Sequence, residues 1–372
     1  MFEEFDVIKK DSRVAIFGTE IVGVQIKNFI EKNRPDLKIV CFVDSKKSGE
    51  CEGIEVFKLK DLPEKKKLFD ILIVSTRWHA PETIVVLNYL DIPFLMISTP
   101  SECSSKKIHY FEKFKRAISI FKTDEDRFLF NMLWETYCSG YYEKLEQFVL
   151  KKYGISKYQP VRNYNAQYLE YINKSVIKTV LDGGFCNGIN SLAFKKHLLN
   201  LKRIYAFEPM YEKFKDENLD YFINQADFVT IISCGLWEKS GKIEFCENVP
   251  YHSASRIIGT RGFSKKKPHE NIVEIETITI DEAKKNLGIE KVDFIKLDIE
   301  GAEMQALHGA VSTLEEDRPQ LAVSIYHLTE DFVSIPIYLS EILKNYTFHI
   351  GHYSYDLNET ILYAIPDELL EK

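Results

Sequence analysis

Twice along this 372-residue chain, short apolar runs that end in glycine or an acid alternate with helical stretches, and few folds accept that pattern. Runs that are apolar throughout suit strands buried on both faces, as in a parallel sheet covered by helices. The first series begins with Val14–Phe17, turns through Gly18-Thr-Glu-Ile-Val-Gly23 and continues as a helix to about Lys32. Lys38–Val43 follows, closed by Asp44, then Phe69–Ser75 and Ile92–Ile97. Strand, glycine turn, helix and acid-tipped strand over about 100 residues read as a small Rossmann-like domain. The second series opens near Ser175, with strands expected at Val176–Leu181, Arg203–Phe207, Phe228–Ser233, Val292–Leu297 and Gln320–Tyr326, and helices between most of them. It ends differently: Tyr346–Gly351 and Thr360–Ile365, joined by a short polar stretch, form a hairpin.

Between the two series, Ser104–Ile155 is helical by spacing, with Phe114, Ile118 and Phe121 on one face and Phe128, Met132 and Leu133 on another. Phe128, Phe130, Trp134, Tyr137, Tyr141 and Tyr142 either pack as core or form an aromatic wall for an acceptor; aromatics at helical spacing usually make core. The expected organisation is therefore a Rossmann-like α/β domain over residues 1–103, a helical connector over 104–167, and a larger α/β domain over 168–372.

Charge and cysteine usage narrow the class. Lys and Arg total 49 against 56 Asp and Glu, a net charge of -7, which argues against a phosphate backbone as the main partner. The run Lys265–Lys267 is short and reads as a solvated loop. Cys41, Cys51, Cys103, Cys138, Cys186, Cys234 and Cys246 form no C-x-x-C pair, and no histidine cluster stands at zinc spacing. Scattered, odd-numbered thiols fit buried cysteines in a reducing compartment. Met1–Lys10 has no basic-then-apolar pattern, and every apolar run stops short of the roughly 18 residues of a spanning helix. The expected location is cytoplasmic, with no membrane span.

Three strand ends in the second series carry polar chemistry. Val180-Leu-Asp-Gly-Gly-Phe-Cys-Asn-Gly188 runs an apolar strand into Asp182, Gly183 and Gly184, with Asn187 and Gly188 before a helix. Glycines allow a sharp turn and close backbone approach to a ligand, and the helix offers unpaired N–H groups. By itself such a turn is also an ordinary strand-to-helix connection. Ile204-Tyr-Ala-Phe-Glu-Pro209 places Glu208 at a strand end 26 residues after Asp182, with Pro209 starting the next helix. A carboxylate there accepts the two hydroxyls of a ribose, so the pair points to an adenosine-type ligand. Val292-Asp-Phe-Ile-Lys-Leu-Asp-Ile-Glu-Gly-Ala-Glu303 then brings Asp298 to the same crevice, with Glu300 beyond; Glu303, on the next helix, reads as structural.

The segment Lys296-Leu-Asp-Ile-Glu-Gly-Ala-Glu303, with Leu307-His-Gly-Ala310 after it, resembles the signature of the FkbM methyltransferases. The Asp182 turn, Phe207-Glu-Pro209 and Ile278-Thr-Ile-Asp-Glu282 fall where that family has them, so the resemblance spans roughly Tyr168–Pro366. Phe185-Cys186 departs from it, since smaller or different residues are usual there. The resemblance implies a class I methyltransferase-like doubly wound sheet with a terminal antiparallel hairpin. It implies S-adenosylmethionine as cofactor and a hydroxyl acceptor, often on a sugar or polyketide. The cofactor contacts would be Asp182, Gly183, Gly184, Asn187, Gly188, Glu208 and Pro209, with Asp182 attracting the methionine amino group and Asp298 at the reaction centre.

Methyl transfer to an alcohol needs a positioned oxygen and removal of its proton. Asp298 and His327, the latter closing Ser324-Ile-Tyr-His327, are the candidates, with His327 the better-placed base near neutral pH. His327 is equally readable as a satisfied structural histidine. A divalent ion on Asp298 and Glu300 is the less favoured route, because the sequence names no third ligand. Tyr251-His-Ser-Ala-Ser-Arg256 either covers the acceptor or is a plain polar loop.

In the N-terminal series, Gly18-x-x-x-x-Gly23 lacks the middle glycine of the dinucleotide fingerprint, while Asp44 stands where a ribose-binding acid would. The domain resembles the small nucleotide-sugar-binding domains of sugar-modifying enzymes, and either holds a nucleotide-linked acceptor or only packs. Two rivals stay open: a nicotinamide-dependent oxidoreductase or epimerase, against which the absence of Tyr-x-x-x-Lys near either turn counts, and a non-catalytic nucleotide-sugar binding protein. The acceptor's identity and the oligomeric state are not legible.

Overall fold

The computed structural model describes residues 8–19, 21–74, 86–87, 89–96, 110–139, 142–154, 167–214, 227–248, 255–258 and 270–370. The chain divides into two compact units. One comprises Met1–Glu112, Phe128–Arg162 and Ser354–Leu357; the other comprises Lys113–Arg127, Asn163–Tyr353 and Asn358–Lys372.

The first unit holds a six-stranded sheet: β1 (Arg13–Phe17), β2 (Lys38–Asp44), β3 (Gly49–Cys51), β4 (Ile54–Lys58), β5 (Ile71–Val74) and β6 (Phe94–Met96), in the order β3-β4-β2-β1-β5-β6. All neighbours pair in parallel except β3, which turns back on β4. Alternate residues of the strands face opposite layers. Val14, Ile16, Phe42 and Ile73 pack with Ile26 and Ile30 of helix α1 (Ile21–Asn33). Ala15, Phe17, Val43, Leu72 and Val74 pack with Leu62 and Leu87. Burial on both faces is why these strands read as unbroken apolar runs. The β3–β4 hairpin escaped the sequence reading: its arms are short and polar, and its turn is marked only by Glu52 and Gly53, at φ 53° and 76°. The expected strand Ile92–Ile97 is β6, with Ile97 outside the described residues.

The connector is helical where described: residues 110–118, then α2 (Asp124–Ser139) and α3 (Glu143–Tyr153). Helix α3 ends at Gly154, which takes the left-handed conformation of a C-terminal cap at φ 70°. Phe130, Trp134, Tyr137 and Tyr142 are buried, as core packing requires, whereas Phe128 is 61% exposed. Tyr141 lies outside the described residues.

The second unit is built on a seven-stranded sheet: β7 (Thr179–Gly183), β8 (Arg203–Phe207), β9 (Val229–Ile232), β14 (Phe294–Leu297), β15 (Gln320–Ser324), β16 (Tyr346–His352) and β17 (Thr360–Pro366). The order is β16-β17-β15-β14-β7-β8-β9. Five strands are parallel, and the β16–β17 hairpin joins β15 antiparallel. The sheet thus reverses direction outward from β7 and β14, which opens a crevice at the carboxyl ends of those two strands.

One departure concerns the stretch between β9 and β14, where the alternation suggested helices. It holds a second sheet of β10 (Gly235–Leu236), β11 (Gly241–Asn248), β12 (Arg256–Ile257) and β13 (Glu270–Ile278), in the order β10-β13-β11-β12, before the short helix α5 (Ile280–Asn286). The reason is visible in Gly-Lys-Ile-Glu-Phe-Cys-Glu-Asn and its partner β13, which alternate apolar and polar residues with period two. Phe245 and Ile275 pack inward with Met210, Ile257 and Ala302, while Lys242 and Glu274 face outward and pair at 3.0 Å. Such one-sided strands belong to an antiparallel layer. Among the described cysteines, Cys41 and Cys246 are buried and Cys51, Cys186 and Cys234 are half-buried; Cys103 lies outside the described residues. No helix among the described residues is long and apolar enough to cross a membrane.

Candidate active site

Strand β7 runs into a turn that only glycine can make. Gly184 has φ 80°, and a Cβ there would lie 1.8 Å from the carbonyl oxygen of Asp298. The turn from β7 therefore presses directly against the end of β14. Cys186 follows at φ 52° and Gly188 at φ 84°, the residue that caps helix α4 (Ile189–His197). The Asn187 side chain accepts from the Ile189 N–H at 3.3 Å. Glu208, at the end of β8, closes the turn from the other side. Its carboxylate accepts from the Cys186 N–H at 3.0 Å and the Met210 N–H at 3.2 Å, with Pro209 between. Glu208 is 8% exposed. Burial raises its pKa above the ordinary range, although these two N–H groups and the Lys296 charge pull the other way.

Asp182 was expected to orient the turn and meet the ligand. Its side chain is fully buried, accepting from the Ser191 hydroxyl at 2.8 Å and lying 3.0 Å from the Lys296 ammonium. Lys296, a residue the sequence reading passed over, donates to the carbonyls of Gly183 and Gly184 at 2.8 and 2.7 Å. Asp182 thus shapes the turn through Lys296 and has no exposed surface to offer a ligand. A lysine in the middle of a buried strand was itself a signal, because a buried ammonium demands an acid and further acceptors.

Asp298, one residue beyond β14, gathers hydrogen-bond partners from two distant parts of the chain. Its Oδ2 accepts from the Tyr168 hydroxyl at 2.7 Å; its Oδ1 accepts from Ser324 at 2.9 Å and Tyr326 at 3.1 Å. Burial alone would raise its pKa, but the charges of Lys296 and His327 and the hydroxyls of Tyr168 and Ser324 outweigh it, holding the carboxyl at about 2. Tyr168, whose ring also lies 5.4 Å from the Lys296 ammonium, is 130 residues away in sequence and gave no signal.

His327 stands beside this carboxylate and is 6% exposed. Its Nδ1 lies 2.9 Å from Glu303, and its Nε2 lies 3.5 Å from Asp298 Oδ1 and 3.7 Å from Glu300 Oε2. Glu303, fully buried on helix α6 (Glu303–His308), also accepts from the N–H groups of Ile299 and Gly301, at 2.8 and 3.0 Å. It is structural, as read from the sequence. Burial would lower the histidine pKa, but Glu303, Glu300 and Asp298 raise it well above the ordinary value. A raised pKa favours the charged imidazolium, which counts against His327 as the base. Glu300 is the better tuned group: burial, with Asp298 and Glu303 adding to it against His327, pushes its carboxyl to about 7. Its backbone is left-handed at φ 54°, a conformation that costs a non-glycine residue energy and is characteristic of functional sites.

The structure therefore brings Gly183, Gly184 and Asp298 together, sets Glu208 against Cys186, and clusters Asp298, Glu300 and His327. Of the loop expected at Tyr251–Arg256, Ser255 and Arg256 are buried and residues 251–254 lie outside the described residues, as does Lys265–Lys267. In the first unit, a Cβ on Gly23 would lie 1.9 Å from the Gly18 carbonyl, so that turn is also closed tightly. The Asp44 carboxylate is engaged by its own loop, accepting from the Thr19 hydroxyl at 2.7 Å and from the N–H groups of Lys46 and Lys47 at 2.9 and 3.0 Å.

Comparison with known proteins agrees with this layout. No curated protein matches the chain in sequence. Among solved structures, a methyltransferase FkbM from Methylobacillus flagellatus superposes with a TM-score of 0.61 at 17% identity, covering 97% of this chain and 92% of that one, a likeness of fold. A fibrillarin from Aeropyrum pernix, solved with S-adenosyl-L-methionine, covers 55% of this chain and 76% of its own at 12% identity and a TM-score of 0.32. Residues 182–350 match the methyltransferase FkbM domain, a span that begins at Asp182 and holds Glu208, Asp298, Glu300 and His327. The stretch 182–350, a little under half of the chain, is thus similar in sequence to the methyltransferase FkbM domain.

Proposed function

We propose that the domain over residues 168–372 is an S-adenosylmethionine-dependent O-methyltransferase acting on a hydroxyl of a sugar or glycan precursor, free or nucleotide-linked. The observation that carries this reading is the meeting of the Gly184 turn with Asp298 at adjacent ends of β7 and β14, with Glu208 one strand further along. The group fits these residues. Gly183 and Gly184 let the turn close against the end of β14, Asn187 and Gly188 start the following helix, and Glu208 offers carboxylate oxygens at the strand end where a ribose is held. When bound, S-adenosylmethionine would supply a methyl group on a sulfonium, passed in line to the acceptor oxygen with the neutral thioether as leaving group. The acceptor hydroxyl must lie on the Asp298 side of the turn. There Glu300, with its carboxyl near 7, takes the proton, and the ionised Asp298 and His327 fix the hydroxyl's position.

The deciding experiment is calorimetric titration of the purified chain with S-adenosylmethionine and, separately, with a reduced nicotinamide dinucleotide. Micromolar binding of the first is expected, weakened at least tenfold by Glu208→Ala, with no binding of the second. Binding of the dinucleotide alone would overturn the reading and return the chemistry to the oxidoreductase alternative.

A further inference from the structure

The Asp298 cluster has the geometry of a ligand set. His327 Nε2 has no hydrogen-bond partner among the described residues, although the side chain is only 6% exposed. A buried polar atom left without a partner needs a reason. This one is aimed between two carboxylate oxygens, Asp298 Oδ1 at 3.5 Å and Glu300 Oε2 at 3.7 Å. Bonds of about 2.1 Å from a tetrahedral centre set their donor atoms roughly 3.4 Å apart. The two measured separations are within a few tenths of an ångström of that edge and longer than an ordinary N–H···O bond, and Asp298, Glu303 and His327 each offer a donor atom within 4.8 Å of the others.

The far side of the ring is arranged to match. Glu303 is fully buried, its oxygens already accept from Ile299 and Gly301, and it lies 2.9 Å from Nδ1. It holds the proton on Nδ1 and leaves Nε2 to face the carboxylates. A carboxylate behind a histidine whose other nitrogen faces acid oxygens is the usual outer support of a metal-bound imidazole. Charge points the same way. Asp298, Glu300 and Glu303 bring three carboxyl groups around the one imidazole, while the Lys296 ammonium is paired with Asp182. A divalent cation offsets that excess without a proton on either Glu300 or Nε2.

We infer that His327 Nε2, Asp298 Oδ1 and Glu300 Oε2 form a site for a first-row divalent cation of the Mn²⁺ or Zn²⁺ type, with Glu303 as the outer partner of the imidazole. One nitrogen and two carboxylate oxygens suit this class better than Mg²⁺ or Ca²⁺, which prefer all-oxygen shells. The third ligand that the sequence could not name is His327. Asp298 Oδ1 gives up its longer hydrogen bond, from Tyr326 at 3.1 Å, and keeps that from Ser324. The open coordination positions face the acceptor. Resting on the methyltransferase reading, the inference gives the cation the role of binding the acceptor hydroxyl and lowering its pKa, with Glu300 then a ligand rather than the base.

The test does not depend on turnover. The full chain, stripped with chelator, is titrated with Mn²⁺, bound ion being read from the loss of the free Mn²⁺ electron paramagnetic resonance signal, and with Zn²⁺ by calorimetry. One saturable site is expected, weakened at least 100-fold by His327→Ala and by Asp298→Asn and about 10–100-fold by Glu303→Gln. Each variant is checked by circular dichroism. If any fails to fold, Co²⁺ added to the unaltered chain replaces it, a mixed imidazole–carboxylate visible spectrum being the expected result. Absence of saturable binding, binding indifferent to these substitutions, or a Co²⁺ spectrum lacking imidazole would overturn the site. S-adenosylmethionine is titrated into the same samples. Its binding without any cation site removes only this inference, whereas a cation site without cofactor binding keeps the site and removes the methyltransferase reading.

Discussion

At the scale of single residues, what a sequence shows is an end of a strand, and what it hides is which way a side chain turns. Asp298 and Glu208 were legible because each closes an apolar run, and strand ends share a crevice whatever the details of the fold. Asp182 met the same criterion, yet its carboxylate faces inward to Lys296 and Ser191. His327 was visible too, but not its three carboxylate neighbours, and those decide its protonation. The Lys296–Asp182 pair is fully buried on both sides, so removing one partner leaves a charge and two glycine carbonyls without compensation. Lys296→Met, close in volume, is expected to cost about 3–5 kcal/mol. The measurement is the urea midpoint at unchanged m-value. Adding Asp182→Asn should recover part of the loss, as coupled sites do. A single-variant cost below about 1 kcal/mol would mean that the pair does not hold the turn.

At the scale of elements, periodicity decided what could be read. Runs apolar on both faces gave the strands of the two large sheets apart from β3 and β4, and the polar break between β16 and β17 gave the hairpin. The β10–β13 layer was lost because its strands alternate, a pattern outside the helix-strand rhythm on which the reading relied. The first turn of α2 carries three acids, Asp124, Glu125 and Asp126, whose charge suits a helix start. Its Asp126 does more: the carboxylate accepts from Thr123, from the Ile350 N–H of β16 at 3.0 Å, and faces His349 Nδ1 at 2.9 Å. At 2% exposure, burial would raise its pKa, but these partners lower it below the ordinary carboxylate value. Its contribution is therefore complete above the unfolded value of about 3.9 and is lost as pH falls through the folded value. Asp126→Asn is expected to cost about 1–3 kcal/mol at pH 7. The difference from the unaltered chain should shrink progressively as pH falls below about 4. A difference that stays constant over that range would show that hydrogen-bond geometry, not charge, ties the helix to the hairpin.

At the scale of the whole molecule, the sequence reading starts the larger domain at residue 168, and an earlier segment also groups with its sheet. Residues 113–127 group with the seven-stranded sheet. Lys113 donates to Glu330 at 3.0 Å, Lys122 donates to Thr347 at 2.8 Å, Arg116 pairs with Glu341, and Phe121 is 1% exposed. The exposed ion pairs contribute little. The weight falls on Phe121, whose burial stabilises by about 1.5–3 kcal/mol, and on Asp126 as argued above. These residues were assigned to the connector because their spacing is helical, and a helix carries no mark of the sheet it serves. A chain starting at residue 113 should therefore unfold at higher urea than one starting at residue 168, by about 3 kcal/mol or more in the cooperative transition of the C-terminal sheet. It should also bind S-adenosylmethionine at least as tightly as the full chain. Equal stability of the two truncated chains would place the boundary at residue 168, and would mean that residues 113–127 lie on the sheet without supporting it.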